Sequence, residues 1–298
     1  MILLDVDIFV QRRKELHVSQ ESLAKGVCTQ ATLSKLENNL HVPSMAILEK
    51  LCEKLNLNVE DLYRSSKDES EKIELLLNNA ERNLMMENYL SAMRYLKSVS
   101  INDVKNNTAK MQYYFLHGLV KVLTNDEMAE AFMDFYRITE WLDEEHKTVF
   151  IPLSYTGIGI VYLRSRKVQN AKFFFLKVHE FLLRHLKKIE QKSIFESNLI
   201  DDLRILCMLF YTAEFLTIES NYDMSNELIV KGLQLCSSKR ATYYVPRLKL
   251  LQAENEISQH KNISEVQNIL DEALAFGKLN HDDLVQVKVG AFRRKLNI

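Results

Sequence analysis

Glycine and proline are scarce in this chain, at 7 and 3 among 298 residues. Turn-rich β folds lean on both, so the scarcity argues against them. With 47% hydrophobic residues in long periodic runs, it argues for an all-α protein. Cysteine is scarce as well. Cys28, Cys52, Cys207 and Cys236 lie far apart with no CxxC pair. That spacing argues against a metal or redox motif and for buried, reduced thiols in a cytoplasmic protein. A dominant charge sign is missing too: 39 Lys and Arg meet 40 Asp and Glu, for a net charge of −1. Bulk charge therefore announces no nucleic-acid partner. No apolar run reaches the length of a membrane span. The segment MILLDVDIFV is short, carries Asp5 and Asp7, lacks a basic start and does not read as a signal peptide. There is no Gly-rich phosphate loop, no HExxH and no nucleophile with a placed base, and the 8 His are dispersed. Catalysis is not expected, nor is a metal or cofactor.

What is present first is the stretch Ser19 to Pro43, SQESLAKGVCTQATLSKLENNLHVP. It reads as two short helices joined by a tight turn. Leu23 and Ala24 mark the inner face of the first. Gly26 stands where a helix can end in the left-handed conformation. Thr29 offers a cap to the second helix. Leu33 and Leu36 are its buried positions, and Gln30, Ala31, Thr32, Ser34 and Lys35 face outward. Such short polar side chains with one Lys suit base edges in a major groove. Around this pair, a first helix is expected from Leu4 to Leu16, with Ile8, Val10 and Leu16 turned inward. After a polar loop from Asn38 to Val42, Pro43 and the cap Ser44 start a helix that buries Ile47, Leu48, Leu51 and Leu55. A short helix from Val59 to Tyr63 closes a five-helix domain over residues 1–65.

The segments SQESLAKGVCTQATLSKLEN and PSMAILEKLCEKLNLNVEDLY carry a resemblance to the Cro/C1-type (XRE) helix-turn-helix. The span from Leu23 to Leu33 is one residue shorter than in most XRE domains. That variant resembles the PlcR and Rgg group of peptide-pheromone regulators, called RRNPP. The resemblance implies that Arg13 pairs with Glu37, the last residue of the recognition helix, with Arg13 also close to phosphate. It implies that Gln20 touches the DNA backbone from a helix start. It turns Gln30, Thr32 and Lys35 to bases or phosphates, and the cap Thr29 and the outward Ala31 and Ser34 complete the DNA-contact candidates.

Residues 64–70, RSSKDES, read as a charged, Ser-rich linker to a second domain over 66–298. That domain reads as an α-solenoid of about five tetratricopeptide-like hairpins. Its clearest unit has Tyr155, Ile158, Gly159, Tyr162, Ala171 and Phe175 at the tetratricopeptide spacing. The small residue lets two helices approach, and the aromatics fill the gap beside it. Other units pair Ala80 with Tyr89, Ala92 and Leu96, Gly118 or Leu119 with Ala131 and Phe135, Ala213 with Tyr222 and Ser225, and Ala253 and Ile257 with Val266, Leu270 and Ala273. Ala92, Ala131 and Ala171 recur at about 40 residues, longer than the roughly 34 of the consensus repeat. The insertions should therefore be longest between units three and four. Residues 282–296 suit a capping helix.

A concave groove lined by the first helix of each hairpin would hold an extended peptide. In this frame the groove candidates are Asn78, Glu81, Tyr113, His117, Thr156, Arg164, Phe210, Tyr211, Glu214, Gln252 and Asn255. The expected protein is thus a cytoplasmic regulator that binds a palindromic DNA operator as a homodimer and is reset by a short signalling peptide. The alternatives are repeats that bind a protein partner or that serve only for dimerisation. Replacing both Gln30 and Lys35 with Ala should abolish operator binding in a mobility-shift assay while circular dichroism stays unchanged. Retained binding would contradict this placement of the recognition helix.

Overall fold

The computed structural model describes residues 4, 6–38, 40–189, 198–239 and 241–297, and every regular element among them is helical. The chain divides into two compact units, Met1–Leu75 and Leu76–Ile298.

The first unit contains α1 (Val6–Glu15), α2 (Gln20–Ala24), α3 (Gln30–Glu37), α4 (Met45–Lys54) and the start of α5 (Val59–Met85). Its core joins Val6, Phe9, Leu23, Ala24, Leu33, Leu36, Leu48, Leu51, Cys52, Leu55 and Leu62. Each Val, Leu or Phe among them contributes about 1.5–3 kcal/mol by leaving water. Ser19 and Thr29 cap α2 and α3, accepting from the backbone N–H of Ser22 and Thr32. Gly26 takes φ +77° between these helices, the left-handed conformation expected there. Some local expectations fail. Phe9 is the deep anchor of α1, while Leu16 stays 39% exposed because the helix has already ended at Glu15. Ser44 precedes α4 without a side-chain capping bond. Asn39, in the expected loop after α3, lies outside the described residues.

The expected linker is not a loop. Residues 64–70 lie inside α5, which continues to Met85. The segment RSSKDES holds no Gly or Pro, and its Arg, Lys and Glu favour a helix strongly enough to offset the mild cost of Ser. Beyond it, buried Ile73, Leu77, Ala80 and Leu84 keep a 4-3-4 spacing that sustains the helix.

In the second unit, α5 is followed by α6 (Tyr89–Lys97), α7 (Asn107–Thr124) and α8 (Met128–Arg137), which a π-helical turn extends over Ile138–Leu142. Next come α9 (Phe150–Arg164), α10 (Val168–Ile189), α11 (Leu199–Ile218), α12 (Tyr222–Lys239), α13 (Val245–Ser258), α14 (Ile263–Leu279) and α15 (Asp283–Leu296). The hairpins α7/α8, α9/α10, α11/α12 and α13/α14 stack in order, and α15 closes the array against α14 and α13. The first helices α7, α9, α11 and α13 also pack side by side as an inner layer. Residues 190–197, between units three and four, lie outside the described residues.

Small residues set how closely these helices approach. A Cβ added to Gly118 would lie 2.9 Å from Cζ of Phe135, and one on Gly159 would lie 2.7 Å from Cε2 of Phe175. Gly118, rather than Leu119, is therefore the small residue of the second unit. Gly157 meets the same Phe135 ring from α9, so this buried ring is wedged against glycines of two helices. In unit four, the Ser225 hydroxyl donates to the Ala213 carbonyl at 2.9 Å.

The scarcity of glycine is resolved in the turns. After α5, α7, α9, α11, α13 and α14 the chain passes through positive φ at Glu87, Asn125, Arg166, Ser220, His260 and His281. The next backbone N–H then reaches back to the helix, as Lys167 N does to Tyr162 O at 2.8 Å and Lys261 N to Glu256 O at 3.0 Å. These are the reversals that glycine most often makes. Here non-glycine residues accept a cost of about 1 kcal/mol or more each. The thiols of Cys207 and Cys236 lie in the packed interior, and burial pushes both up to about 12, so they stay unreactive.

Gly157→Ala should destabilise the protein by about 1–3 kcal/mol in urea unfolding, because the added methyl overlaps a ring that cannot retreat. Gly290→Ala, where a Cβ meets nothing within 4 Å, should instead be neutral or stabilise by up to about 1 kcal/mol. Equal behaviour of the two variants would contradict the wedge.

Candidate functional site

Two sites emerge, one in each unit. In the first, Glu37 at the end of α3 is the hub. Arg13 donates to both its oxygens, from Nε at 2.6 Å and from Nη2 at 2.8 Å. The third guanidinium nitrogen, Nη1, donates to the Val18 carbonyl at 2.8 Å. Gln20 Nε2 donates to Glu37 at 2.8 Å, and Gln30 Nε2 donates to Gln20 Oε1 at 2.8 Å. The Glu37 contact raises the Arg13 pKa further above its usual value, so the charge on this link is permanent. The Arg13–Glu37 pair implied by the resemblance is thus present, and each guanidinium nitrogen makes one hydrogen bond within the unit.

The network fixes the outer face of α3. Gln30, Ala31 and Lys35 are exposed, and Thr32 and Ser34 are partly so. Thr29 stands at the helix start, with its hydroxyl 2.8 Å from that of Thr32. Gln20 and Gln30 come from different helices and meet side by side. Lys54 was not singled out from the sequence. Its ammonium donates to the carbonyls of Leu23 and Lys25, at 3.1 and 2.6 Å, and closes the end of α2. Only its position near a helix end in the fold reveals that role.

The second site is a cavity of about 800 Å³ in the second unit, a size typical of ligand pockets. Its walls come from α9 (Ile160, Leu163, Arg164), α11 (Phe210, Tyr211, Glu214, Ile218), α13 (Arg247, Leu250, Leu251, Glu254) and α15 (Leu284, Lys288, Ala291, Lys295), with Glu87 and Tyr89 beside them. Four sequence candidates, Arg164, Phe210, Tyr211 and Glu214, meet on this wall. Burial holds the Tyr211 phenol well above its usual range and raises the Glu214 carboxyl, which nearby Lys288 pulls back down. Arg247 is buried, with Nη2 donating to the Met85 carbonyl at 3.2 Å and lying 3.3 Å from Glu87. Burial opposes its charge, and Glu87 together with the nearby Tyr244, Tyr211 and Tyr89 outweighs that opposition.

The other seven candidates lie off this wall, and most of them are engaged elsewhere. Asn78 and Glu81 accept from Gln112, and buried Glu81 is held by Arg204 at 2.8 and 3.0 Å. His117 bonds Asp134 at 2.6 Å and stacks on Tyr113. The buried Thr156 hydroxyl donates to the Pro152 carbonyl at 2.9 Å. Gln252 and Asn255 miss the wall through helical phase. The cavity face of α13 runs 247, 250, 251, 254, and one residue's step turns a side chain by about 100°. Asn255 instead donates to Ser225 Oγ and Asn226 Oδ1, at 3.0 and 2.8 Å, and accepts from Thr217 at 2.7 Å.

Sequence reasoning missed Arg247 and the whole contribution of α15. A signal existed for the latter. Residues 284, 288, 291 and 295 share one face, beside the stripe of buried Val285 and Val289, so the capping helix shows a side to the cavity as well as a side to the array.

These features define a DNA-binding head of the helix-turn-helix class followed by a body of stacked helical hairpins. Residues 10–62 match the Helix-turn-helix family. The full chain has the fold of solved regulators. The competence regulator ComR from Streptococcus vestibularis, in complex with its cognate signaling peptide XIP, aligns at 14% identity and a TM-score of 0.57 over 98% of this chain and 99% of that one. PlcR from Bacillus thuringiensis in its apo form gives 14% and 0.55 over 95% and 98%. ComR from S. thermophilus, in complex with DNA and its signalling peptide ComS, gives 14% and 0.52 over 97% and 98%. The comparison with curated proteins gave no match. Among the described residues, no helix is long and apolar enough to cross a membrane.

Asn255→Ala should cost about 1–3 kcal/mol of stability in thermal or urea unfolding, because it strands Ser225, Asn226 and Thr217 partners in the interior. A variant of wild-type stability would show that the network does not hold α11, α12 and α13 together.

Proposed function

We propose that the protein is a cytoplasmic transcription regulator of the RRNPP type, whose DNA binding is set by a short signalling peptide held in the cavity of its repeat unit. The observation that carries this reading is the cavity itself. It lies on the inner helices of the repeats and combines apolar side chains with a few charged groups, in a chain whose other unit is a helix-turn-helix head. The solved ComR complexes, with peptide and with DNA, share this fold and support the same assignment.

The head reads DNA through Gln30, Lys35, Ala31, Thr32 and Ser34, with Gln20 and Thr29 positioning the helix start. Arg13 acts by holding Glu37 and, through it, Gln20. The near-neutral charge of the chain keeps the non-specific phosphate attraction of one head small. A homodimer on a palindromic operator supplies the missing affinity by binding twice. A peptide changes this output only if it binds one arrangement of the dimer better than the other.

Synthetic peptides from the host's secreted precursors provide the test. One of them should shift the operator dissociation constant at least about tenfold. At roughly a hundredfold excess over its own dissociation constant, it should also raise the melting temperature by about 5 °C or more. If no peptide moves either quantity, the peptide reading falls.

A further inference from the structure

The charged groups of the cavity wall are unevenly matched. Four cations line it, Arg164, Arg247, Lys288 and Lys295, against Glu87, Glu214 and Glu254. Glu87 belongs to Arg247, at 3.3 Å. Among the described residues, Arg164, Lys288 and Lys295 form no hydrogen bond or ion pair, and neither do Glu214 and Glu254. The Nε of buried Arg247 has no hydrogen-bond partner either, and the Asp282 carboxylate beyond it is 3.9 Å away. The remaining wall is apolar, with Ile160, Leu163, Ile218, Leu250 and Leu251.

Open to water, Arg164, Lys288 and Lys295 are solvated. A ligand that fills the cavity removes that water, and a purely apolar ligand would leave Arg164 and Lys288 desolvated and unpaired. That outcome is costly for any ion. A ligand anion turns the same cost into charge-assisted hydrogen bonds. Glu214 does not pair them: it lies near both cations without a hydrogen bond or ion pair to either, and burial raises its carboxyl pKa.

We propose that the ligand is an apolar peptide carrying a carboxylate that lodges between Arg164 of α9 and Lys288 of α15, with Arg247 behind them. This rests on the peptide reading above and names the chemistry by which the cavity selects among peptides. One consequence follows for the fold. Only Val285 and Val289 of α15 are buried in the array, so an anion shared with α9 would add a second attachment for this terminal helix.

The test is affinity selection with the full-length protein against two equimolar random hexapeptide libraries, one of free acids and one of carboxamides, with bound peptides identified by mass spectrometry. Free acids with apolar side chains should be retained roughly tenfold over carboxamides. The R164Q/K288Q protein should still retain apolar peptides and lose the preference. Both residues are exposed and unpartnered, so the variant should melt like the wild type. If retained carboxamides are enriched in Asp or Glu, the anion is a side chain rather than the C-terminus, and the proposal stands. Equal retention of acids and carboxamides with no acidic enrichment overturns it while leaving peptide binding intact. So does an undiminished preference in R164Q/K288Q. Retention of nothing from either library overturns the peptide reading and this inference together.

Discussion

The second unit depends on the insertion of aromatic rings where glycine has removed a side chain. Phe135 of α8 sits against Gly118 of α7 and Gly157 of α9. Phe175 of α10 covers Gly159 of α9 and stacks on Phe215 of α11, with ring centroids 4.7 Å apart. Two rings therefore set the spacing of three inner helices. Ile160, Leu163 and Arg164 follow directly on α9 and form one wall of the cavity. The width of that cavity is in this sense a packing property, fixed by residues that do not line it. Dense packing transmits such constraints because the interior has no slack to absorb a methyl group.

The first unit rests on a chain of polar contacts instead. Arg13, Glu37, Gln20 and Gln30 hold one another in sequence, from the interior to the exposed face of α3. A buried pair of this kind contributes little net stability, but loss of either partner leaves an uncompensated charge. Its effect is to choose one rotamer for the exposed amides. Preorganisation lowers the entropy cost of binding, which matters for a head with no excess positive charge. Local geometry thus carries what bulk electrostatics does not.

Much of this was legible in the sequence because it depends on spacing. Leu33 and Leu36, the cap Thr29, Gly26 at its turn, and the Gly159–Phe175 and Ala213–Ser225 marks are all short-range patterns. What stayed illegible depends on phase or on distance along the chain. Gln252 and Asn255 were assigned to the groove one residue out of step with Leu251 and Glu254, which is enough to turn them off the cavity wall and to bury Asn255. Polarity invited the error, since a buried amide network looks like a binding surface until its partners Ser225 and Asn226 are placed. Glu81 meets Arg204, 123 residues away, which no local pattern encodes. The segment RSSKDES resembled a linker by composition, yet composition without Gly or Pro does not break a helix. The left-handed turns at Arg166 and His260 were hidden for the opposite reason, because the chain uses residues there that rarely advertise such a conformation.

Peptide capture in the cavity is the central proposal, and filling the cavity bears on it most directly. Ala291 lines it from the exposed side of α15, so Ala291→Trp would occupy the space with little demand on the core. The measurement is the operator dissociation constant with and without an activating or inhibiting peptide, for wild type and for this variant. The expected result is an unchanged constant in the absence of peptide and a response to peptide that is lost in the variant. A variant that still responds as the wild type does would contradict capture at this site.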